Sequence, residues 1–198
     1  MQYAGFWKRL SSVILDFIIL MPISIFILWV GSFSKTIHLI VIIPHTLLFF
    51  AYHIYMNANY GGTFGKLIMG IKITKVDGET IHYKEAFLRN IVDLSFGIII
   101  VFMQAYTLFN ISDPSYDNLS WFKQAVFLHE NMPQAYNPIY TASQIWIWSE
   151  LIVLLFNQKK RALHDFIAGT VVLDIKKKVL PDIPTEDKLD AILLKLNK

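Results

Sequence analysis

The chain has 198 residues, of which 55% are hydrophobic, 15% are aromatic and only 17% are charged. Soluble domains carry about 25% charged residues, so this composition argues against a soluble globular protein. The formal net charge of +3 is too small to indicate a nucleic-acid partner, and the absence of cysteine excludes disulfides and thiolate metal sites. The apolar stretch that begins at Leu10 is longer than the core of a cleavable signal peptide, so we expect a membrane helix there.

Four stretches are long and apolar enough to predict transmembrane helices. A helix needs about 20 apolar residues to cross the hydrocarbon core of a bilayer, and a helix satisfies its own backbone where no water is present. A soluble helical bundle is the alternative, but its helices are amphipathic rather than apolar all round. The predicted spans are residues 10–30, 37–56, 91–109 and 139–156.

The basic residues predict the side of the membrane on which each connection lies. All 18 lysines and arginines except Lys35 and Lys123 lie before the first span, between the second and third spans, or after the fourth. Because basic residues concentrate on the cytoplasmic side, this bias predicts that both termini are cytoplasmic.

The connections are predicted to contain three short elements. Residues 71–74 and 80–83 alternate in polarity on either side of Asp77-Gly78, which predicts a small cytoplasmic hairpin. Residues 121–128 predict a short interfacial helix within an outer loop. Residues 159–168 are basic and partly apolar, which predicts a helix on the inner membrane surface.

The predicted fold is an all-α membrane protein. It consists of a bundle of about four transmembrane helices with the small hairpin and the inner-surface helix. Residues 1–175 are predicted to form the transmembrane domain, and residues 176–198 a cytoplasmic tail. Apolar residues at helical spacing predict a short amphipathic helix in that tail; they are Leu189, Ile192, Leu193 and Leu196.

Enzyme motifs give no support for catalysis. The segment 61–66 is rich in glycine and ends in lysine, but a phosphate-binding loop needs a glycine where Tyr60 stands and a serine or threonine where Leu67 stands. The sequence has no nucleophile elbow and no HExxH motif. We therefore expect a protein that is not an enzyme and that holds no cofactor or metal.

Ionisable residues inside the predicted spans are the candidate functional residues. Asp16 lies within the first span, and an ionisable residue there needs a polar partner or water. Asp16 is seven residues from Arg9, so the two share a helix face about 10 Å apart. A structural ion pair with another helix and a cation or proton site both remain open for Asp16. Asp93 follows Arg89 at i+4, which predicts a local pair. Glu150 has no partner that the sequence reveals, so it is either protonated or bound to a polar group of another span.

Three histidines share one face of the second span. At 100° per residue, His38, His45 and His53 fall within 80° of one another. This stripe predicts a polar seam bonded to neighbouring helices, with a proton pathway as the less favoured alternative. Because seven residues correspond to about 10 Å of rise, one helix alone cannot form a metal site from these histidines.

Three separate stretches together resemble the RDD family of membrane proteins. The resemblance covers residues 4–172, and the family takes its name from one arginine and two aspartates, which correspond by position to Arg9, Asp16 and Asp165. The matching stretches are Ala4-Gly5-Phe6-Trp7-Lys8-Arg9-Leu10, then Gly62-Thr63-Phe64-Gly65-Lys66 with Gly70-Ile71-Lys72-Ile73, Asp77-Gly78 and Leu88-Arg89-Asn90, and finally Leu163-His164-Asp165 with Ala168-Gly169-Thr170-Val171-Val172.

The resemblance implies a bacterial inner-membrane protein, because family members are mostly of that kind. Some members are proposed to transport ligands or to exchange sodium for protons. The implied functional cluster is Arg9, Asp16 and Asp165, which sum to a charge of −1, as suits a monovalent cation, a shared proton or a static brace. The secondary candidates are His164, His45, Asp93 and Glu150. The long outer loop, residues 110–138, departs from the compact family pattern.

Two functions remain as hypotheses. The first is cation- or proton-linked transport, which predicts a water-accessible route to Asp16. The second is a non-transporting accessory or scaffold protein, which predicts that Asp16 is sealed in a pair with Arg9 or another helix. An enzyme acting on lipid has less support than either. The expected partners are the bilayer, a monovalent cation or proton, and a membrane partner or further copies of this chain, because four helices are few for a transport path.

Overall fold

The computed structural model describes residues 2–176, and four of the helices in this range are long and apolar enough to cross a membrane. They are α1, α2, α4 and α7, so the predicted all-α membrane fold is confirmed, and each span is longer than predicted. The helices are α1 Phe6–Gly31, α2 Lys35–Tyr60, α3 Phe64–Ile68, α4 Tyr83–Asn110, α5 Asp113–Asp117, α6 Trp121–Glu130, α7 Tyr136–Phe156 and α8 Leu163–Ile167; the strands are β1 Ile71–Lys75 and β2 Thr170–Asp174. The predicted tail helix lies outside the described residues.

Local sequence explains where α2 begins and ends. Ser34 precedes the helix, and its hydroxyl accepts a hydrogen bond from the backbone N–H of Ile37 at 3.2 Å. Gly61 ends the helix with a φ of 74°, a left-handed conformation that glycine adopts without steric cost. This turn directs the chain back towards α1, so that α3 packs against it.

The four spans form a row in the order α1, α2, α4, α7. The main contacts join α1 to α2, α2 to α4, and α4 to α7. Large apolar side chains of the spans remain on the outside of the single chain, as expected for a surface that meets lipid tails. Examples are Phe17 and Phe102, each 66% exposed, and Phe156, which is 85% exposed.

A two-stranded antiparallel sheet closes one end of the row, which we call the sheet end. Strand β1 pairs with β2 in a register that places Ile71 opposite Asp174 and Lys75 opposite Thr170. Tyr3 forms a further bridge to Leu173. Buried apolar residues of both strands form the core there with neighbouring segments; they are Ala4, Ile71, Ile73, Ile81, Ala86 and Val172.

The hairpin predicted for residues 71–83 is present only in part. The turn at Asp77-Gly78 is present, but the run that follows it contributes a single bridge, Thr80 to Thr74. The fully buried Val171 and almost fully buried Val172 of β2 supply an apolar partner for β1. Burial of these side chains favours the long-range pairing over the local one.

The predicted inner-surface helix is shorter than expected. Only α8 is helical in this segment. Asn157 accepts hydrogen bonds from the backbone N–H groups of Lys159 (2.9 Å) and Arg161 (3.4 Å), and Lys160 has a φ of 49°. This side-chain bonding competes with helix formation before α8 begins.

The other end of the row, which we call the loop end, is covered by α5 and α6. Helix α6 confirms the predicted short helix of the long loop. Tyr116 of α5 is fully buried, and its hydroxyl lies 2.6 Å from His38 Nδ1. Gln124 of α6 donates hydrogen bonds to the carbonyls of Ser32 (3.1 Å) and Tyr116 (3.3 Å). The loop helices are therefore fixed to α2 and to the end of α1.

Candidate functional site

Asp165 is the centre of a buried polar cluster at the sheet end. Its side chain is fully buried, and it accepts a hydrogen bond from the backbone N–H of Ala162 at 3.0 Å, which caps the first turn of α8. Thr170 of β2 donates its hydroxyl to the same carboxylate at 3.1 Å. We call the group the Asp165 cluster; its members are Arg9, Arg89, Glu150, His164 and Asp165.

Two arginines from different spans meet at this carboxylate. Arg9 of α1 donates from Nη1 to Oδ2 at 2.7 Å. Arg89 of α4 forms an ion pair with Oδ1 and also donates to the hydroxyl of Thr170 at 2.5 Å. One carboxylate therefore joins α1, α4 and α8.

The charges around Asp165 keep its carboxyl group ionised. Burial by itself raises the pKa of Asp165, but the charges of Arg89 and Arg9, together with the hydrogen bond from Arg9, outweigh burial. The resulting pKa lies well below the usual range for aspartate. Asp165 is therefore a permanent anion within this cluster at neutral pH.

His164 connects Arg89 of α4 to Glu150 of the fourth span, α7. Its Nδ1 lies 2.6 Å from Glu150 Oε2, and its backbone N–H donates to Glu150 Oε1 at 3.2 Å. Its Nε2 lies 2.8 Å from Arg89 Nη2. Because an arginine only donates hydrogen bonds, Nε2 must accept and Nδ1 must carry the proton, which assigns the neutral ring.

The Asp165 cluster is therefore electrically balanced. The two cations Arg9 and Arg89 match the two anions Asp165 and Glu150 when His164 is neutral. The sum of −1 expected from the sequence counted Asp16, which lies in a different arrangement, whereas Arg89 and Glu150 add one charge of each sign. A buried cluster with no net charge suits a structural brace between helices.

The predicted local pair of Arg89 and Asp93 is wrong. Arg89 points to Asp165, Thr170 and His164, whereas Asp93 accepts a hydrogen bond from Trp146 Nε1 at 3.1 Å. The i+4 spacing allowed a local pair, but the buried anion Asp165 attracts the guanidinium more strongly. Arg89 lies in the Leu88-Arg89-Asn90 stretch that resembles the family. That match was the one feature of the sequence that could have identified Arg89 as part of the site.

Asp16 belongs to a different arrangement and does not bond to Arg9. Its carboxylate accepts hydrogen bonds from Thr63 Oγ1 (2.5 Å), the backbone N–H of Gly65 (2.8 Å) and Tyr52 Oη (3.2 Å). These donors come from α2 and from the turn leading into α3. The structure therefore brings Arg9 and Asp165 together, while Asp16 holds the turn after α2.

The approach of α3 to α1 requires a glycine at position 65. A Cβ atom there would lie 2.1 Å from the carbonyl oxygen of Ser12 and 2.9 Å from Asp16 Cγ. The absence of a side chain therefore lets the backbone N–H of Gly65 reach the Asp16 carboxylate. Lys66 follows directly and donates to Thr63 Oγ1 at 3.2 Å. Lys66 also interacts electrostatically with Asp16 and Arg9, so it lies between the two polar groups.

A groove between α1 and α2 begins at Asp16, and we call it the α1–α2 groove. Its volume is about 520 Å³. Asp16 and Lys66 lie near one another on its wall, and the remaining wall is mostly apolar. The lining residues are Val13, Asp16, Phe17, Leu20, Met21, Ser24, Ile25, Leu28, His45, Phe49, His53 and Lys66.

A second cavity of about 320 Å³ continues along the same two helices towards the loop end. It shares Leu28 and His45 with the α1–α2 groove, and His38 and Gln104 also line it. His45 Nε2 lies 3.4 Å from Ser24 Oγ of α1. His38 and His45 therefore each bond to a neighbouring element, whereas the third histidine of the predicted seam, His53, packs against the rings of Phe49 and Tyr52 of its own helix.

These features define an integral multi-pass membrane protein with two polar groups at the sheet end. The model of the RDD family matches residues 3–169, so the chain belongs to the RDD family. The chain is also similar to a protein of Bacillus subtilis (strain 168) named "Uncharacterized protein YckC", with 26% identity over 179 residues that cover 85% of this chain and 83% of the relative. No solved structure matches the chain.

Proposed function

We propose that this RDD-family protein carries out cation- or proton-linked transport, with Asp16 as the residue that binds the ion. The observation that carries this proposal is the position of Asp16 on the wall of the α1–α2 groove. An ionisable residue inside a membrane span that faces a cavity commonly marks an ion or substrate pathway. The accessory role predicted that Asp16 is sealed in a pair with Arg9 or with another helix. Asp16 does not bond to Arg9, but it accepts a hydrogen bond from Tyr52 of α2, which the accessory role also allows.

The bonding of Asp16 leaves its charge available to an ion. Its three bonded donors, which belong to Tyr52, Thr63 and Gly65, are all uncharged. They orient the carboxylate without neutralising it, and the nearby cation is Lys66, which interacts with Asp16 electrostatically. In a transport cycle, a proton or a monovalent cation would compete with Lys66 for this carboxylate.

The second cavity supports a route along α1 and α2. His53 and His45 line the α1–α2 groove, and His45 and His38 line the second cavity. These histidines are seven or eight residues apart, which is about 10–12 Å along the helix. That distance is too long for direct proton transfer between them. Water in the cavities would bridge the gaps, because a water molecule occupies about 30 Å³.

We further propose that the sheet end is cytoplasmic in a bacterial inner membrane, because the basic residues concentrate there. The second cavity is walled by α1, α2, α4 and α6, whereas the α1–α2 groove is lined by α1, α2 and Lys66 and is open along its side. A second copy of the chain, packed against that side, would supply the missing wall. We therefore place the transport unit in a homo-oligomer.

The accessory or scaffold role is the second candidate, and the Asp165 cluster favours it. In that cluster Asp165 and Arg89 are buried, His164 and Glu150 are partly exposed, and the charges balance with His164 neutral, as suits a structural anchor. Within the described residues, Nε and Nη2 of Arg9 have no hydrogen-bond partner. It would hold the sheet and α8 in a fixed position for a membrane partner. Ion flux separates the two candidates.

The test uses purified protein in sealed vesicles with a pH-sensitive dye and imposed sodium or potassium gradients. We expect wild-type vesicles to show ion-dependent proton movement and Asp16→Asn vesicles to lose it. The amide keeps the shape of the side chain and an acceptor for Gly65, so the variant should fold. Asp77→Asn, in the turn after β1, is the matched control and should keep the flux. Absence of flux in the wild type, or equal flux in Asp16→Asn, would contradict the proposed function.

A further inference from the structure

The α1–α2 groove carries one anion, Asp16, and one cation, Lys66, near the sheet end. The rest of its wall is mostly apolar. We propose that this groove binds a phospholipid with a phosphoethanolamine headgroup, its ammonium on Asp16 and its phosphate on Lys66. This proposal rests on the proposed function only because both use Asp16, and it assigns a class of ligand to the same groove. A lipid ammonium and a transported ion would compete for Asp16, which provides the linkage between them.

The unused hydrogen-bonding capacity of the two residues matches this headgroup. A carboxylate has about four acceptor positions, and Asp16 uses three of them for Tyr52, Thr63 and Gly65. An ammonium has three donors, and Lys66 uses one for Thr63. Within the part of the chain that the structure describes, one acceptor and two donors therefore remain. A ligand with one N–H cation and one anionic oxygen group satisfies both residues.

The shape of the site selects a primary ammonium. Asp16 is only 5% exposed, so only a small donor group can reach its carboxylate. A trimethylammonium group is bulky and has no N–H to donate. A lipid with an anionic headgroup has no cationic donor for Asp16, and its phosphate meets the negative charge of Asp16; the glycerol hydroxyls of phosphatidylglycerol are uncharged donors. The zwitterion with a small NH₃⁺ group remains.

The apolar length of the groove fits one acyl chain. Its wall extends along α1 from Asp16 to Leu28, twelve residues or about 18 Å. One leaflet provides about half of the 30 Å hydrocarbon core. Phe17 and Leu28 on this wall are 66% and 51% exposed in the single chain, so the groove is open to the bilayer along its side.

The depth of Asp16 fits a headgroup as well. Before Ser12, α1 contacts the sheet end, where Lys8 pairs with Asp174 of β2 at 2.7 Å. From Val13 to Val30 the helix rises about 26 Å, close to the thickness of the hydrocarbon core. Asp16 therefore lies about one turn from the polar boundary of the membrane.

The first experiment measures lipid selectivity of the full chain in detergent. Phosphatidylethanolamine, phosphatidylcholine and phosphatidylglycerol with identical acyl chains are titrated, and binding is followed by native mass spectrometry and by the shift in Tm. We expect phosphatidylethanolamine to bind about tenfold more tightly than the other two, because neither of them offers Asp16 an ammonium N–H. Equal affinities, or a preference for phosphatidylcholine or phosphatidylglycerol, overturn the proposal.

Variants then test the two halves of the site. Lys66→Gln should weaken phosphatidylethanolamine binding about tenfold, and Lys66→Arg should retain it. Met21→Trp fills the groove and should abolish binding, whereas Ile23→Trp, on the same helix but outside the groove, should leave it unchanged. Wild-type affinity in Lys66→Gln or in Met21→Trp overturns the site.

The lipid measurement is independent of ion movement. Selective lipid binding without ion flux would reject the proposed function and keep this site. Ion flux with no lipid selectivity would reject this site and keep the proposed function.

Discussion

Arg9 in α1 and Asp165 in α8 are 156 positions apart in the chain, yet their side chains share a 2.7 Å hydrogen bond inside the sheet end. Arg89 of α4 approaches the other oxygen of the same carboxylate. This arrangement fixes the first span, the third span and the segment after the fourth span relative to one another. Asp165 is therefore the residue whose loss should disturb the fold most.

Asp165→Asn should preserve membrane insertion but lower the free energy of unfolding by about 3–5 kcal/mol, because it leaves two buried arginines without their anion. Thermal melts in detergent measure the loss. Glu79→Gln is the control, since Glu79 is 69% exposed in its pair with Lys75 and its loss should leave Tm unchanged. Equal Tm values for Asp165→Asn and wild type would show that the Asp165 cluster does not brace the helices.

The effect of Asp165 should also depend on pH in a defined direction. The pKa of Asp165 is lowered in the folded protein, and the unfolded value is about 3.9. A lowered folded pKa contributes stability that is fully present above the unfolded value and is lost as pH falls towards the folded value. The Tm difference between wild type and Asp165→Asn should hence stay constant from about pH 8 to 5 and shrink below about pH 4. A difference that shrinks between pH 8 and 5 would contradict this assignment.

Gly65→Ala should separate α3 from α1, since its Cβ would lie 2.1 Å from the carbonyl oxygen of Ser12. We expect a loss of about 1–3 kcal/mol in the free energy of unfolding, typical of an overpacked contact. Gly5→Ala is the matched control, because a Cβ there meets no atom within 4 Å. Chemical denaturation of both variants in detergent provides the comparison, and equal midpoints would disprove the close contact.

Tyr116→Phe should loosen the loop end. The variant removes the hydroxyl that lies 2.6 Å from His38 Nδ1, at a cost of about 1 kcal/mol. Burial raises the pKa of Tyr116 to about 12, so the hydroxyl keeps its proton and the effect should be the same from about pH 6 to 9. Tyr106→Phe, at a side chain that is 64% exposed, is the control. Hydrogen exchange of α5 and α6 measures the effect, and unchanged exchange in Tyr116→Phe would rule out this attachment.

The distribution of basic residues predicts that the sheet end is cytoplasmic. A reporter inserted at Asp77-Gly78, in the turn after β1, and a reporter fused after Lys198 should both report the cytoplasm. A reporter inserted beside Asn118, between α5 and α6, should report the opposite side. An outside signal at Lys198 together with a cytoplasmic signal at Asp77-Gly78 would reject the four-span topology.

Much of the fold was predictable because membrane spans depend on local composition. Each predicted span lies inside an observed helix, and the helix of the long loop was predicted from residues 121–128. The hairpin prediction was only half right because the main partner of β1 is β2, about a hundred positions later in the chain. Local alternation shows that a strand forms, but it does not show which strand pairs with it.

The candidate site was predictable in its residues but not in its contacts. The resemblance selected Arg9, Asp16 and Asp165, and the structure joins Arg9 to Asp165 while Asp16 bonds to Thr63 and Gly65. Glu150 had no visible partner in the sequence, and the structure supplies His164. Charge inside an apolar span signals a need for a partner, but several distant groups can meet that need.

The sequence by itself determined that this protein crosses a membrane and where its spans lie, because the transfer of apolar side chains into lipid depends only on what each segment contains. Only the tertiary structure decided that Arg89 completes the Asp165 cluster and that Asp16 borders a groove instead of joining Arg9. The reason is physical: a buried ion pair depends on the distance between side chains from different helices. That distance is set by the packing of the whole row and by the pairing of β1 with β2.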